Sequence, residues 1–346
     1  MGLVALVSII ISAGCGGTTP ARSSAAGGLP AIGHGVHGPA GLTATVVATG
    51  MKNLAALAVD PSSRIWAGTA DYTDSGKDQV SVITGHSSKL TVVLSHQHTV
   101  LGLLWYQDSL YVASSGQVVA YSGFDGATFA SHRAIVTLPR GSGEVNQLAL
   151  GADGRMLLGV SSPCDHCTTT PADSGAVLSF VPDGTDLRTF ATGIRAPVGL
   201  AVFPGTDHLL VTMNQRDDLG SKTPGDWLAV VADGSAWGFP ACYGQGGAAC
   251  AGVPSALAVL DKHAAVSGVA ITTGQLGSTV ATSALVAEWS TGVVDRVPLS
   301  ADGTSAVGKP TRFLAGIGKP VAIILDGSAL LVGDWSSGTI YRIART

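Results

Sequence analysis

The chain has 346 residues, of which 46% are hydrophobic and 12% are charged, and its formal net charge is −4. Charged residues make up about a quarter of an average soluble domain, so this chain is unusually poor in charge. With 47 glycines, it fits neither a disordered chain nor a helical protein, because both are richer in Lys and Glu. No basic run indicates binding to nucleic acid, and no Gly-rich loop ends in Gly-Lys-Ser/Thr as a phosphate loop does. The composition favours many short strands joined by tight turns.

The first residues of the chain predict export. An apolar run from Leu3 to Ala13 is too short to span a bilayer and ends in Ser-Ala-Gly-Cys. This ending resembles the bacterial lipoprotein signal, in which the cysteine is lipidated, although a serine stands where leucine is usual and no Lys or Arg precedes the run. An ordinary cleaved signal peptide is the alternative. We predict a signal segment over residues 1–15, a membrane anchor on Cys15, and a flexible tether over residues 16–41.

Residues 42–346 repeat one pattern six times. Each copy has an apolar strand that ends near Asp-Gly or Pro, a second strand, and one or two further strands. The copies begin at Leu54, Val100, Val145, Pro197, Val266 and Pro320. A spacing of about 45 to 70 residues is typical of four-stranded propeller blades with loop insertions. The sequence therefore predicts an all-β fold, a six-bladed β-propeller, whereas a β-sandwich would leave the sixfold repeat unexplained.

Closure of the ring is also predicted by the repeats. The sixth copy supplies three strands, the last of them near Thr339 to Ile343, and lacks a fourth. An unassigned strand from Leu42 to Ala48 precedes the first copy. Pairing this N-terminal strand with the last blade would close the ring and remove two exposed edges.

The five cysteines support export. If Cys15 carries lipid, the others form two local pairs, Cys164 with Cys167 and Cys242 with Cys250, as disulfides in an oxidising compartment would. The Cys-Asp-His-Cys motif could instead be a redox or metal motif. A zinc site needs about four ligands, however, and no second Cys-x-x-Cys or His-x-x-x-His supplies the others. Structural disulfides are favoured.

Polar residues precede the inner strands of several copies. In a propeller, the turns that enter the innermost strands face the central channel at one end, so these side chains should converge. They are Lys52 or Asn53, His98, Gly143 with Glu144, Arg195, His263 and Lys319. A convergent polar cluster in a concave place predicts a binding site. Alternatively, His98 lies in a solvated loop and Arg195 donates hydrogen bonds to backbone carbonyls of its own loop.

Two long polar loops follow second strands and carry further candidates. The first offers oxygen ligands for calcium, or aspartates that cap turns, at Asp217, Asp218 and Asp226. The second loop carries three aromatic residues that could line the face of a sugar or pack the disulfide loop, namely Trp237, Phe239 and Tyr243.

At these residues the sequence resembles the glucose/sorbosone dehydrogenase family, soluble quinoprotein propellers that use pyrroloquinoline quinone (PQQ) and calcium. The resemblance runs over nearly all of the chain after the tether, and the two cysteine pairs stand where sorbosone-type members have theirs. It is carried in order by residues 148–154 with 161–167, 193–200, 214–220 and 237–244, and more weakly by 316–321. It implies a propeller that oxidises a sugar, an alcohol or an aldehyde.

The resemblance also implies roles for the site residues. The family uses a histidine before the third inner strand as general base, and this chain has Gly143 and Glu144 there. A glutamate can act as base when burial raises its pKa, so Glu144, or alternatively His98, is the predicted catalytic base. The predicted cofactor-binding residues are Arg195, Lys319 and His263.

Five further positions depart from the pattern of the family. Gln147 and Ala196 replace an arginine and an asparagine, and Lys319 replaces an arginine, which keeps the charge but loses bidentate geometry. The family's Asp-Glu-Leu-Asn is here Asp226-Trp-Leu-Ala, so one calcium-ligating carboxylate is missing. Two hypotheses follow: an exported quinoprotein that oxidises a sugar-like substrate, or a propeller that has lost catalysis and binds carbohydrate or protein at the envelope. A lactonase-type hydrolase would require a carboxylate-lined calcium at the channel, and the rim predicted here is more cationic than that.

Overall fold

The computed structural model describes residues 28–84, 89–167 and 171–346. Six antiparallel sheets are arranged in a ring, which confirms the six-bladed β-propeller. In five of the sheets the strands of a blade follow one another in space as they do in the chain, from the channel outwards. The predicted signal segment and its lipidated cysteine lie outside the described residues.

The strands account for nearly all of the regular structure. The first three are Ala31–Gly33 (β1), Val36–His37 (β2) and Leu42–Ala48 (β3). Blades one and two are Leu54–Val59 (β4), Ile65–Thr69 (β5), Asp78–Ile83 (β6), Thr91–Gln97 (β7), Gly102–Tyr106 (β8), Ser109–Ser114 (β9), Gln117–Phe124 (β10) and Phe129–Thr137 (β11). Blades three and four are Val145–Leu150 (β12), Met156–Val160 (β13), Ala176–Phe180 (β14), Arg188–Thr192 (β15), Pro197–Val202 (β16), Leu209–Met213 (β17), Trp227–Val231 (β18) and Ala258–Val259 (β19). Blades five and six are Val266–Thr273 (β20), Thr282–Glu288 (β21), Val293–Pro298 (β22), Thr311–Ala315 (β23), Pro320–Asp326 (β24), Ala329–Asp334 (β25) and Thr339–Arg345 (β26).

The predicted repeats coincide with the inner strands. Five copies begin where an inner strand begins, and the second begins at Val100, just ahead of β8. Each inner strand contacts the inner strand of the next blade, and β24 contacts β4, so the ring is closed. The close approach depends on glycine at two places. A Cβ on Gly199 would lie 2.3 Å from the carbonyl oxygen of Ser267, and one on Gly268 would lie 2.6 Å from that of Val321.

The N-terminal strand closes the sixth blade as predicted. Strand β3 pairs antiparallel with β26, from Ala48 opposite Ile340 to Leu42 opposite Arg345. The chain thus joins its two ends within one sheet. Strand β26 therefore has a hydrogen-bonded neighbour on both sides and is not an open edge of the sheet.

The hydrophobic core lies between the blades. Each of six apolar clusters takes its residues from two neighbouring blades, for example Tyr111 and Met156 from blades two and three. The second strands are buried on both faces, because a blade lies on either side of them. The strand Met156–Val160 is therefore apolar throughout rather than alternating. Rigid blades packed in this way hold the loops at each end of the ring in fixed positions.

The predicted tether is wrong at its C-terminal end. Strands β1 and β2 form a small hairpin, and His37 pairs with Ala315 at the outer edge of blade five. Ile32 and Val36 are buried in the cluster between blades five and six, so these residues belong to the propeller. The abundance of small and polar residues in 16–41 hides these two apolar anchors from an argument based on composition.

Helical structure is confined to short turns in the residues that the structure describes. Two 3₁₀ turns, Gly220–Lys222 and Ala248–Cys250, lie in the long loops of blade four. Within 28–84, 89–167 and 171–346 we find no helix with the length and hydropathy needed to cross a membrane.

Candidate functional site

Two sets of loops meet at one end of the channel. In an antiparallel blade, the loop before the first strand and the loop between the second and third strands leave the sheet at the same end. Glu144 and Arg195, which precede β12 and β16, therefore meet the loops of residues 161–167 and 214–226. Together they enclose a cavity of about 540 Å³, called here the rim cavity and lined in part by Glu144, Ser162, Asp165, Arg195 and Asn214.

Glu144 lies on the wall of the rim cavity. Its side chain is open to the recess, yet protein surrounds it on most sides, and this burial raises the pKa of its carboxyl group, while nearby Arg195 lowers it. No protein hydrogen bond to the carboxylate is found within the described residues, although the Glu144 carbonyl accepts one from Ser161. A carboxylate with a raised pKa and free oxygens is suited to general-base catalysis.

Tyr72, in the first blade, lies close enough to Glu144 for the two side chains to interact electrostatically. It lies in the loop between β5 and β6, with a positive φ of 57°, and 51% of its surface is exposed. The surrounding protein raises the pKa of its phenol, and the negative charge of Glu144 raises it further. The phenol therefore stays protonated and can donate a hydrogen bond near Glu144.

Arg195 is held in place by a neighbouring loop. Its terminal nitrogen donates to Asp165 Oδ1 at 2.7 Å, Nε donates to the Asp165 carbonyl at 3.1 Å, and the other terminal nitrogen donates to the Asn214 carbonyl at 3.2 Å. Asp165 also accepts the backbone N–H groups of Asp217 and Asp218. The guanidinium is therefore positioned and partly neutralised, so this side of the rim is less cationic than the sequence predicts.

Two polar atoms of the rim cavity have no partner among the described residues. Asn214 Oδ1 and Ser162 Oγ are buried and form no hydrogen bond with that part of the chain, and both residues line the cavity. An unsatisfied buried polar group costs about 1–3 kcal/mol. Such a cost is commonly offset by water or by a ligand that supplies the missing hydrogen bond.

Lys319 and two tryptophans form another part of the channel end. The Lys319 Nζ atom lies 3.1 Å from the ring centroid of Trp289, and Trp289 meets Trp335 edge to face at 5.8 Å. The indole of Trp335 donates to the Ala70 carbonyl at 2.9 Å, which fixes it against blade one. Desolvation lowers the pKa of Lys319, and its ammonium has no salt bridge in the described part of the chain. It can therefore bind an anionic group.

The two predicted histidines do not line the rim cavity. The His98 ring is held by Asp74, at 3.0 Å from its carboxylate, and half of its side chain is exposed. Both nitrogens of His263 face oxygens, at 2.7 Å from Asp217 Oδ1 and 2.9 Å from the Gly220 carbonyl. These contacts raise the pKa of His263 and suit its doubly protonated form. Both histidines therefore brace loops.

The three candidate calcium ligands have other partners. Asp217 pairs with His263, and Asp218 forms a bidentate pair with Arg216. Asp226 is buried and accepts the N–H groups of Gln215 at 2.8 Å and of Val266, in the next blade, at 3.3 Å. Within 28–84, 89–167 and 171–346, no three His, Cys, Asp or Glu side chains are grouped to hold a metal ion.

Asp78 is the counterpart of Asp226 in blade one and shows what such an aspartate does. In blade one it stands at the start of the third strand and accepts the N–H of Thr99, just before the second blade, at 2.8 Å. Asp226 just precedes the third strand of blade four and reaches the fifth blade in the same way. Burial raises the pKa of Asp226 to about 6. The two aspartates therefore link consecutive blades.

The residue beside Asp226 also argues against calcium at that point. Trp227 stands where the resemblance places a ligating glutamate, and it is buried and stacked on Trp237, with ring centroids 4.8 Å apart. An indole stack offers no oxygen ligand to a hard cation. The residues present at Trp227 do not fit a calcium ion.

Both predicted disulfides are confirmed. Cys164 is bonded to Cys167 and Cys242 to Cys250, which excludes these cysteines as ligands of a metal. The first disulfide encloses Asp165, the partner of Arg195. The second closes the loop that carries Tyr243.

Sequence reasoning missed several contributors to the site, namely Tyr72, Asp165, Trp289 and Trp335. All four lie in loops between second and third strands, which leave the blade at the same end as the turns used for prediction. At Gln147 the resemblance to the family indicates only the loss of an arginine. Its amide oxygen accepts the N–H of Leu200 at 3.3 Å, so it bridges the third and fourth inner strands.

Comparison with solved structures identifies the fold. Aldose sugar dehydrogenase from Streptomyces coelicolor, solved in a PQQ-bound form, is 20% identical, with a TM-score of 0.70 over 89% of this chain and 99% of that one. The PQQ domain of pyranose dehydrogenase from Coprinopsis cinerea, in its holo form, is 16% identical, with a TM-score of 0.73 over 92% and 99%. The soluble aldose sugar dehydrogenase from Escherichia coli is 14% identical, with a TM-score of 0.67 over 88% and 100%. The chain therefore shares the six-bladed propeller fold of these proteins. No protein-family model and no curated protein sequence matches it.

The residues present fit a flat, anionic ligand at the end of this propeller. PQQ is a planar tricarboxylate, so it requires cations and apolar ring faces. Lys319 offers an ammonium that forms no salt bridge with a described residue, and Arg195 adds a guanidinium that Asp165 positions. Trp289 and Trp335 supply aromatic surface. The unpaired Asn214 Oδ1 is a further acceptor within the rim cavity.

Proposed function

We propose that the protein is an exported PQQ-dependent dehydrogenase that oxidises a sugar or a related alcohol or aldehyde at the rim cavity. The observation that carries the proposal is the state of Glu144: its carboxylate has a raised pKa and no hydrogen bond from the described protein, and it faces a cavity of about 540 Å³. Ligand sites of this kind typically have volumes of about 300–1,000 Å³.

Glu144 would take the proton of the reacting hydroxyl. The carboxylate form is the base, and Arg195 favours that form while burial opposes it, so its pKa is poised above the usual range. Tyr72, kept protonated, would donate a hydrogen bond to a sugar oxygen. Bound PQQ supplies a two-electron acceptor for the hydride of the substrate, with Lys319 and Arg195 holding its carboxylates.

The experiment is a calorimetric titration of the purified protein with PQQ, with calcium and with a chelator. We expect binding with a Kd below about 10 µM in both conditions, because the three aspartates are already paired and Trp227 excludes a calcium ligand. Dye reduction across a panel of aldoses would then identify the substrate. Absence of quinone binding would leave a propeller that binds carbohydrate or protein without oxidising it.

Export is supported by the two disulfides, since such bonds persist in oxidising compartments. We propose that Cys15 carries the lipid that holds the protein at the bacterial membrane. Cys15→Ser should move the protein from the membrane fraction to the soluble fraction. Mass spectrometry of the N-terminal peptide checks the lipid directly, and an unmodified cysteine would indicate an ordinary signal peptide instead.

A further inference from the structure

A second pocket lies beside the rim cavity in blade four. Residues 235–239 run along the end of β15, where Trp237 and Phe239 donate backbone hydrogen bonds to Thr192 and Gly193. The chain then reaches the channel end of the blade and forms the loop closed by the second disulfide. Between this loop and the loop after β17 is a pocket of about 460 Å³, called here the aromatic pocket.

The walls of the aromatic pocket combine rings with few polar groups. Its aromatic and apolar residues include Met213, Trp227, Trp237, Phe239 and Tyr243. Arg195 lines both this pocket and the rim cavity, so the two spaces are neighbours on either side of one side chain. A volume of about 300–1,000 Å³ is typical of small-molecule sites.

Gln215 gives the pocket a specific chemical demand. It lines the pocket and is only 3% exposed, and its Nε2 donates to the Tyr243 carbonyl at 2.8 Å. That contact fixes the amide orientation, because the amide oxygen could not face a carbonyl. Gln215 Oε1 then has no hydrogen-bond partner in the described structure. The missing partner must be a donor, such as a hydroxyl or an N–H.

A sugar ring meets both requirements. Its C–H faces pack on aromatic rings, and its hydroxyls donate hydrogen bonds to amide oxygens. An apolar aromatic ligand would fill the pocket but leave Gln215 Oε1 unsatisfied, at a cost of about 1–3 kcal/mol. A carbohydrate is therefore the better match to these walls.

We propose that the aromatic pocket is a carbohydrate subsite that holds one hexose ring, with Gln215 Oε1 accepting a hydroxyl of that ring. The proposal rests on the proposed function only in treating the bound carbohydrate as substrate. Binding itself requires neither PQQ nor Glu144. A substrate of more than one sugar unit would place one ring here and another in the rim cavity, with Arg195 between them.

Two exposed valines provide a matched pair of variants. Val259 is 64% exposed and lies at the edge of the aromatic pocket, whereas Val307 is 65% exposed and lines neither space. Val259→Trp would block the pocket from its rim, and Val307→Trp adds the same side chain elsewhere. Gln215→Leu removes the acceptor while keeping a side chain of similar size.

The test is ligand-observed NMR of quinone-free, full-length protein with maltose as probe. We expect a Kd near 1 mM, at least about tenfold weaker in Val259→Trp and in Gln215→Leu, and unchanged in Val307→Trp. Circular dichroism melts establish whether each variant is folded. If Val259→Trp does not fold, Gln215→Leu still tests the pocket.

Three results would overturn the proposal. The first is no maltose signal up to about 10 mM, and the second is equal affinity in Val259→Trp and Val307→Trp. The third is saturable binding of indole that maltose does not displace, which would make the pocket a site for apolar aromatics. A protein that binds maltose in this pattern but takes up no PQQ would keep the subsite and reject the proposed oxidation.

Discussion

The third and fourth blades place acidic residues at the same end of the channel but in opposite states. In the rim cavity, Glu144 has no protein hydrogen bond to its carboxylate in the described chain, and Asn214 Oδ1 and Ser162 Oγ are also unpaired. In the following loop of blade four, Asp218 is paired with Arg216 and Asp226 is fully hydrogen-bonded. The paired carboxylates of blade four hold loops and blades together, whereas the unpaired polar groups of the rim cavity are available to bind a ligand.

The largest effect is expected at the unpaired acid. Glu144→Gln keeps the shape of the side chain but cannot accept a proton, so kcat should fall at least about 100-fold. The melting temperature should hardly change, because no described protein hydrogen bond is lost. Steady-state dye reduction and a thermal melt measure the two effects. Asp108→Asn, an exposed change at the opposite end of blade two, is the control.

The wild-type pH profile sharpens the same point. The rate should rise with pH as Glu144 loses its proton, with an apparent pKa above the ordinary glutamate value of about 4.3, because burial raises it. This acid limb should be absent from the residual rate of Glu144→Gln. A base that is His98 would instead leave the limb in place in that variant.

The paired acid should behave in the opposite way. Asp226→Ala leaves the buried N–H groups of Gln215 and Val266 without an acceptor, which should lower the free energy of unfolding by about 2–3 kcal/mol. Asp78→Ala, its counterpart in blade one, should lose a similar amount. Urea unfolding measures both. If Asp226→Ala were as stable as the wild type but had lost metal binding, Asp226 would be a calcium ligand.

A smaller effect is expected at Lys319. Lys319→Met removes the ammonium above Trp289, so the Kd for PQQ should rise about tenfold, whereas Lys319→Arg should retain most of the affinity. The melting temperature should fall by only a few degrees, since a half-buried cation–π pair contributes about 1 kcal/mol. Equal PQQ affinity in Lys319→Met and the wild type would remove this residue from the site.

The smallest effect concerns Glu288, next to Trp289. Burial and the charge of Asp295 raise its pKa to about 7, while Arg312 lowers it. The folded state therefore binds the proton more tightly than the unfolded chain, and stability falls as pH rises from about 4.5 through 7. Glu288→Gln should flatten this dependence and stabilise the protein by about 1 kcal/mol at pH 8. Parallel pH profiles for the two proteins would contradict it.

The sequence revealed the ring but not the partners within it. Each inner strand is an apolar run followed by a second buried strand, so six repeats and the closing strand could be read directly. The position of Arg195 at the rim was equally predictable, because it precedes an inner strand. Its partner Asp165 lies 30 residues away in another blade, and Trp335 docks on Ala70 across the ring closure.

The charge state of the rim follows from the structure more than from the sequence. The residues predicted at the rim indicate a cationic site. In the structure, however, Arg195 and His263 each form an ion pair with an aspartate. Of the three aspartates predicted to bind calcium, two form ion pairs within and between loops, and Asp226 accepts hydrogen bonds that link two blades. Such pairings join loops of different blades, so they follow from the closed ring and not from local sequence.

The most direct test of the rim cavity as the active site is a crystal structure of the protein with PQQ. We expect quinone density at the rim end of the channel, with carboxylates near Lys319 and Arg195 and with Glu144 facing the reactive edge. Density at that place without a calcium ion at Trp227 would support this assignment fully. Quinone bound at another surface, or no density at saturating PQQ, would contradict the assignment of the rim cavity as the active site.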